Sequence, residues 1–380
     1  MYTLINMIFD AKSRRSNLIH LITRQFYRGD KFMMVTKVAG AYYQDLINSR
    51  REPDVYSAEI LRMLGTAYLL LGRIDERIEV EKTIQSLPAG CYDELSIALS
   101  LDREAFARLI NGNVRKVLQQ AKAVERKLNS QRREHAILTS VCVKQNPDVD
   151  DINDSEISYA MQSNFLTCGY GHELLFEYKE SLDYYSRALL LSKRVAGHRS
   201  LQSAIFMALS AQVMVKLGDL DEALSLIETA ISIRERFLRR DSMLLGCSYL
   251  NRARVHLALG NLDLASQDLK RCSRIYKKIE REGGFVDMPY LLESQADLAF
   301  DRGQIDLCLE LTTKAMDGYS QYFSSWHPVL LPVLDLRARC FEAQRRVSEG
   351  QSMRDKYDAI VVHNKMRKAA AKRRSEVRIS

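Results

Sequence analysis

Two stretches of the sequence resemble catalytic or metal-binding motifs, but each is incomplete. His172-Glu173 begins like the helical zinc motif in which a second histidine stands four residues after the first, but position 176 is Phe. The acidic run of residues 148–154 resembles a calcium loop only in charge, because it lacks the glycine and the terminal glutamate of such a loop. Phosphate-binding glycine loops and a nucleophile elbow are absent from the sequence. We therefore expect no enzymatic activity, no cofactor and no bound metal ion.

A set of amide, hydroxyl and charged side chains could instead recognise a peptide or a protein. An extended peptide backbone offers both donors and acceptors, so a surface that binds it needs both kinds of group. The set consists of Gln212, Asn251, Arg254, Ser294, Asp297, Asp335 and Arg339. We predict that these residues line a binding groove, with Asp335 one position out of register. Ordinary solvated faces carry the same types of side chain, and this alternative stays open.

The C-terminal segment is strongly basic. Residues 365–380 contain seven Lys or Arg and one Glu, and the run includes Lys372, Arg373 and Arg374. Such a run could act as a nuclear import signal or contact phosphates. The segment has no aromatic residue to stack on bases, which disfavours nucleic-acid binding. Basic residues also suit the C-terminal end of a helix, and we favour this interpretation.

A repeat in the sequence would place the polar set on one surface. Helix-breaking positions recur at intervals of 42, 42, 43 and 42 residues, at Phe176, Gly218, Gly260, Gly303 and Arg345. Seven residues before each of them stands a small residue: Gly169, Ala211, Ala253, Ala296 or Ala338. Small residues at a fixed period indicate helices that approach closely at the same point of every unit. The predicted fold is all-α, an α-solenoid of stacked helix-turn-helix repeats with a 42-residue period.

The helices within a unit are amphipathic. Over residues Leu224–Phe237, apolar side chains such as Ile227 form a broad stripe at the 3.6-residue period, while Arg234 and Arg236 are predicted to face solvent. One hairpin cannot bury such a stripe alone. The next hairpin can cover it, which again favours a stacked array.

The repeat weakens toward the N-terminus. Gly29, Gly72 and Gly112 mark earlier breaks, but Arg77 stands where later units have a small residue. Terminal repeats are often atypical because they cap the stack. We predict degenerate helical repeats over 1–130, an irregular helix and acidic loop over 131–154, the regular array over 155–362 and a basic tail over 363–380.

Composition sets further bounds on the class of protein. Hydrophobic residues make up 46% of the chain and charged residues 27%, which is typical of a soluble protein with a core.

The seven cysteines form no Cys-x-x-Cys pair, and we expect them to be buried, reduced thiols. No segment approaches the roughly 18 apolar residues that a membrane span needs. We therefore expect a cytoplasmic location. A nuclear location is the alternative, because the basic tail could act as an import signal.

The segments around the breaks resemble tetratricopeptide repeats. The resemblance rests on Leu64-Gly65-x-x-Tyr68-x-x-x-Gly72, Gly218-Asp219-Leu220-Asp221-Glu222-Ala223 and Gly260-Asn261-Leu262-Asp263-Leu264-Ala265. The 42-residue period and Leu250-Asn251-x-Ala253 are similar to the longer repeats of kinesin light chains and of MalT-type arrays. The resemblance covers 155–362 best, although no unit has the family's Trp position. It implies a right-handed superhelix whose first helices line a concave groove that binds a peptide or a protein.

Three functional hypotheses follow. The favoured one is a non-catalytic scaffold or adaptor that binds a protein or peptide in the groove. The alternative is a regulatory, peptide-sensing module of a transcription or signalling system, for which neither end of the sequence shows room for an effector unit. A repeat that binds nucleic acid ranks last, because it predicts a basic groove and the positive charge of this chain is concentrated at its two ends.

Overall fold

The computed structural model describes residues 19–23, 32–48, 52–54, 56–70, 73–88, 114–142, 150–281, 288–321 and 323–376. Within these residues every regular element is helical and no β-strand occurs. The chain divides into two compact units, one of residues 1–108, 120–164 and 279–285 and one of residues 109–119, 165–278 and 286–380. The predicted breaks at Gly29, Gly72 and Gly112, and residues 143–149 of the predicted acidic loop, lie outside the described residues. The all-α prediction is confirmed.

The first unit contains three short helices that pack in chain order. They are α1 (Phe32–Ile47), α2 (Ser57–Leu70) and α3 (Ile74–Gln85), and each contacts the next. The chain continues through two long helices, α4 (Val114–Cys142) and α5 (Asp150–Leu174). Within the same unit, the buried Asn164 amide of α5 donates a hydrogen bond to the Ala121 carbonyl of α4 at 2.9 Å. Such a bond fixes the register of two helices, because a buried amide without a partner is costly.

Arg77 in α3 is buried, although the repeat pattern calls for a small residue there. Its side chain is only 4% exposed, and Nη1 donates a hydrogen bond to the Gly65 carbonyl at 3.0 Å. Nη2 lies 3.6 Å from Oε1 of Glu81, whose side chain is fully buried. A Cβ atom on Gly65 would lie 3.2 Å from the same Glu81 oxygen. The glycine therefore makes room for a buried ion pair within α3, and the Arg77 hydrogen bond to Gly65 joins that helix to α2.

The second unit contains the regular array of helical hairpins. Its remaining helices are α6 (Tyr178–Ala196), α7 (Leu201–Leu217), α8 (Leu220–Phe237), α9 (Met243–Ala258), α10 (Leu262–Glu280), α11 (Met288–Asp301), α12 (Ile305–Ser320), α13 (Leu331–Ala343) and α14 (Val347–Glu376). A single 3₁₀ turn (Pro328–Leu330) precedes α13. The first helices of successive hairpins contact one another, α7 with α9, α9 with α11 and α11 with α13. The first helices therefore form a continuous layer within this unit.

The five predicted break positions share one backbone conformation. Each has a positive φ angle: 60° at Phe176, 91° at Gly218, 75° at Gly260, 73° at Gly303 and 59° at Arg345. In every case the next residue donates its backbone N–H to a carbonyl five residues back, as Asp219 does to Met214 at 3.0 Å and Arg346 does to Phe341 at 2.8 Å. This bond closes a helix whose last turn ends in the left-handed region.

Replacing Arg345 with glycine is expected to stabilise the array by about 0.5–1 kcal/mol. A side chain in the left-handed region is strained, and glycine removes that strain at a smaller cost in unfolded-state entropy. Urea denaturation followed by circular dichroism would measure the gain. Gly218→Ala is the matched change in the opposite direction and should lose a similar amount. A destabilised Arg345→Gly variant would contradict this account of the breaks.

The small residues of the repeat are buried in the helical array. Ala211, Ala253, Ala296 and Ala338 are fully buried. At the aligned Gly169, a Cβ atom would lie 2.4 Å from the Tyr185 ring of α6, so glycine is required there. Of the five cysteines whose side chains the structure describes, four are buried and all five are free thiols. At Gly169 the prediction that a small residue marks a close helix approach is confirmed.

Candidate functional site

The polar residues predicted to bind a partner all lie on first helices. Gln212 stands on α7, Asn251 and Arg254 on α9, Ser294 and Asp297 on α11, and Asp335 and Arg339 on α13. Four of them directly follow the buried alanine of their repeat, and we call these four residues the central row: Gln212, Arg254, Asp297 and Arg339. Because their helices are neighbours, the central row runs along the layer of first helices.

Arg254 bridges from α9 to α11. Its Nε donates to the Ser294 hydroxyl at 3.0 Å and its Nη2 to the Tyr290 carbonyl at 3.4 Å. The same Nη2 lies 3.7 Å from Glu293, whose other carboxylate oxygen accepts a hydrogen bond from the Tyr319 hydroxyl at 2.6 Å. Only 22% of the Arg254 side chain and 11% of the Glu293 side chain are exposed. Arg254 is therefore a structural link between repeats as well as a member of the central row.

Gln212 makes a link in the opposite direction, from α7 back to α5. Its Nε2 donates to the Glu173 carboxylate of α5 at 2.7 Å, and the Tyr185 hydroxyl donates to the other Glu173 oxygen at 3.4 Å. Burial raises the pKa of Glu173, although the Gln212 hydrogen bond and the charges of Lys216 and Arg254 act in the opposite direction. The carboxylate thus lies in a poorly hydrated site near two cations.

Asp297 supplies the carboxyl group of the central row, and its pKa is shifted. Burial, followed by the nearby Glu293 and Asp301, raises its pKa from 3.8 to about 7, while Arg254 and Lys216 lower it. Near neutral pH the group is divided between its charged and neutral forms. A carboxyl group in this state can accept hydrogen bonds from a ligand or donate one to it.

Replacing Asp297 with asparagine is expected to stabilise the protein by about 2 kcal/mol at pH 8 and to have little effect at pH 4. Because the folded-state pKa is raised, the protonated group contributes stability that is fully present at low pH and is lost as the pH rises through about 7. Asparagine keeps a neutral side chain at every pH. Urea denaturation at both pH values measures the difference.

The exposed Asp317 on α12 provides the control for this experiment. Asp317→Asn should change the free energy of unfolding by less than about 0.5 kcal/mol, because its side chain is exposed. A pH-independent effect of Asp297→Asn would contradict the raised pKa.

The remaining predicted residues differ in their surroundings. Within the described residues Asn251 makes no side-chain hydrogen bond, and its side chain is half-buried. The exposed Arg339 places its guanidinium carbon 4.2 Å from the centre of the Phe300 ring. Asp335 instead forms an ion pair with Arg354 of α14. The structure thus brings Gln212, Arg254, Ser294 and Asp297 into one network, whereas Asp335 is engaged by the last helix.

Sequence reasoning missed three charged members of this network. Glu173 stands four residues after the small Gly169, and Glu293 stands three residues before Ala296. Lys216 stands four residues after Gln212. Residues three or four apart share a helix face, so the helical period applied to the aligned positions would have identified all three.

The incomplete zinc motif has a local explanation. Nδ1 of His172 is hydrogen-bonded to Glu177 at 2.7 Å, and its ring stacks on Tyr184 with centroids 5.4 Å apart. No group of three or more potential ligand side chains could hold a metal ion in the described part of the chain.

Among the described helices, none has the length and apolar character needed to cross a membrane.

The basic residues of the tail belong to the last helix. The backbone of α14 stays helical through Glu376 and includes Lys372, Arg373 and Arg374. The side chains beyond residue 364 lie outside the described part, so no contact is assigned to them.

Comparison with known proteins supports the sequence resemblance. The tetratricopeptide repeat family model matches residues 169–236 and 205–278. No curated protein sequence matches the chain. The matched residues contain the helices α6 to α9 and most of α10, which carry Gln212, Asn251 and Arg254.

Solved structures share the fold at low sequence identity. A Rap protein complexed with Competence and Sporulation Factor is 12% identical, with a TM-score of 0.56 over 93% of this chain and 100% of that one. The apo form of RapI is 11% identical, with a TM-score of 0.54 over 82% of this chain and 99% of that one. Tetratricopeptide-like repeats assigned to a kinesin light chain of Podosopora anserina are 19% identical over 56% of this chain and 95% of theirs, but their TM-score of 0.35 supports no conclusion. The resemblance to tetratricopeptide repeats is therefore confirmed over residues 169–278, within an all-α array of helical hairpins.

Proposed function

We propose that the protein is a non-catalytic scaffold whose central row, together with Asn251 and Lys216, binds an extended segment of a partner protein. The observation that carries the proposal is the network of amides and charges contributed by successive first helices. Gln212 and Arg254 each reach a neighbouring helix at hydrogen-bond distance, and Asp297 lies partly buried beside them. Groups that are already ordered and poorly hydrated bind a ligand at a reduced entropic cost.

Charge also favours a peptide over a nucleic acid as the ligand. The network contains the carboxyl groups of Glu173, Glu293 and Asp297 alongside the cations of Lys216 and Arg254. A phosphate backbone would require a predominantly basic surface. A peptide backbone with mixed side chains matches a surface of both signs.

The binding test uses residues that do not hold repeats together. A phage library of random twelve-residue peptides would be selected on the full chain, and enriched peptides measured by fluorescence anisotropy. We expect the Lys216→Ala/Asn251→Ala variant to weaken binding by about tenfold or more, because it removes a charged and an amide donor. The exposed Gln267 and Lys270 on α10 give a control variant, Gln267→Ala/Lys270→Ala, that should bind normally. Equal binding by all three proteins would overturn the proposal.

A peptide-sensing regulatory module is the second candidate, and one comparison favours it. The solved Rap protein that shares this fold is named as a complex with Competence and Sporulation Factor. If this array changes conformation when it binds a ligand, a selected peptide should change the hydrogen exchange of helices outside its footprint. Protection confined to the first helices that it touches would favour the simple scaffold.

A further inference from the structure

A basic cavity lies in the second unit, away from the central row. It has a volume of about 1090 Å³ and is formed by the end of α8, the loop before α9, the first half of α9 and the second half of α10. Five of its lining residues are basic: Arg239, Arg240, Arg271, Arg274 and Lys278. Only two are acidic, Glu235 and Asp241. No residue of the proposed partner-binding surface contributes to this cavity.

Both carboxylates accept hydrogen bonds from residues that line the cavity. Asp241 accepts two hydrogen bonds from Arg239 at 3.1 Å each and forms an ion pair with Lys278. The Lys278 contact lowers the pKa of Asp241. Glu235 accepts a hydrogen bond from the Tyr249 hydroxyl at 2.8 Å. The five basic side chains of the lining outnumber these two carboxylates, so a net positive charge remains.

Three arginines keep donors available to a ligand. Arg240 is exposed and has no ion-pair partner among the described residues. The exposed Arg274 uses only Nε, in a 3.4 Å contact with the Lys270 carbonyl. Arg271 lies 3.9 Å from Asp268, but that carboxylate is already bound through both oxygens by Arg252, at 2.6 and 2.8 Å. The cavity therefore has a local excess of positive charge.

The floor of the cavity is apolar. Leu245, Ile275 and Tyr249 are buried side chains that line it, and the Arg271 guanidinium carbon lies 5.5 Å from the centre of the Tyr249 ring. Sites for small ligands combine such apolar walls with a few placed polar groups. A matching ligand has an anionic head and an apolar body.

We infer that this cavity binds a phosphomonoester attached to an apolar group. A phosphomonoester carries a charge of about −1.5 to −2 at pH 7. It therefore balances the positive charge of the cavity better than a single carboxylate does. Its three oxygens can accept paired hydrogen bonds from guanidinium forks, the geometry for which arginine is best suited. The ligand is either a small organic phosphate or a phosphorylated side chain of a partner protein.

Isothermal titration calorimetry of the full chain with phenyl phosphate tests the inference. We expect saturable binding at one site, and binding of benzoate weaker by about tenfold or more, because benzoate carries one charge and two oxygens. Arg240→Ala/Arg274→Ala should reduce the affinity for phenyl phosphate by a similar factor. Both side chains are exposed, so the fold should tolerate their loss.

A matched variant separates a specific site from general attraction. Arg236→Ala/Lys277→Ala removes the same charge from exposed positions of α8 and α10 that do not line the cavity. It should bind phenyl phosphate like the unmodified protein. Equal losses in both double variants, equal binding of benzoate, or no saturable binding of phenyl phosphate would each overturn the inference.

A second titration distinguishes the two sources of the phosphate. A short peptide with a central phosphotyrosine is compared with its unphosphorylated form and with phenyl phosphate. Affinity for the phosphopeptide at least tenfold above that for phenyl phosphate assigns the cavity to a protein-borne group. Equal affinities assign it to a small organic phosphate, and equal binding of the two peptides overturns the phosphate requirement.

Discussion

The Arg254→Ala variant is expected to lose about 3 kcal/mol of stability, and the loss should centre on α9, α11 and α12. The substitution removes the donors to Ser294 and Tyr290 and the cation beside Glu293. Glu293 would then remain as a buried carboxylate that keeps only its hydrogen bond from Tyr319 among these contacts. Removing one partner of a buried pair costs more than the pair contributes, because the remaining charge stays desolvated.

Urea denaturation combined with hydrogen exchange would measure the size and the location of this loss. Arg236→Ala removes an exposed arginine from α8 and should change stability by less than about 0.5 kcal/mol. Adding Glu293→Gln to Arg254→Ala should restore part of the stability, since the second change removes the uncompensated charge. A loss no larger than that of the Arg236 control would show that Arg254 does not link the repeats.

The same contacts determine how the partner-binding proposal can be tested. Arg254 was an obvious residue to replace on sequence grounds, but its substitution would disturb α11 as well as any bound peptide. Lys216 and Asn251 give a cleaner result, because the first is exposed and the second makes no side-chain hydrogen bond among the described residues.

The fold could be predicted because its signals are periodic and local. Phe176 and Arg345 show this most clearly, since neither residue type favours a positive φ angle. The 42-residue register located both positions where the residue types would not have done so. Likewise, the buried alanines and Gly169 could be found from spacing alone, because close helix packing requires a small side chain at a fixed point.

Contacts of long side chains could not be predicted in the same way. Arg234 was expected to face solvent, and this prediction was wrong: the side chain is 4% exposed and donates to the Leu244 carbonyl at 2.8 Å and to the Ser248 hydroxyl. Phe237, at the end of the predicted stripe, is 56% exposed. Helical periodicity assigns a residue to a face, but a flexible arginine can reach a carbonyl on the next helix from the edge of that face.

The aligned repeat nevertheless contained a signal for Arg234. The residues sixteen positions after the first four breaks are Ser192, Arg234, Tyr276 and Tyr319, and all four are buried. An alignment of the repeats would have predicted that Arg234 is buried, whereas its residue type predicted that it is exposed. In the candidate site, by contrast, register identified the members of the central row but not their partners, because hydrogen bonding depends on the rotamers of neighbouring helices.

Replacing Arg77 with alanine is expected to destabilise the first unit by about 3–5 kcal/mol. The change removes the 3.0 Å hydrogen bond to the Gly65 carbonyl and leaves Glu81 fully buried without the cation 3.6 Å away. The later repeats carry a small residue at this position, five residues after each break, and two of them carry alanine (Ala223 and Ala265). A consensus argument therefore predicts the opposite sign. Urea denaturation, with hydrogen exchange of α2 and α3, decides between the two.

The double variant Arg77→Ala/Glu81→Ala distinguishes an uncompensated charge from a simple loss of packing. If the buried carboxylate causes the loss, the double variant should be more stable than Arg77→Ala alone, because no charge remains desolvated. If lost packing dominates, the two losses should add and the double variant should be the less stable protein. A stabilised Arg77→Ala variant would instead show that the ion pair within α3 contributes less to stability than the packing of a small residue at this position.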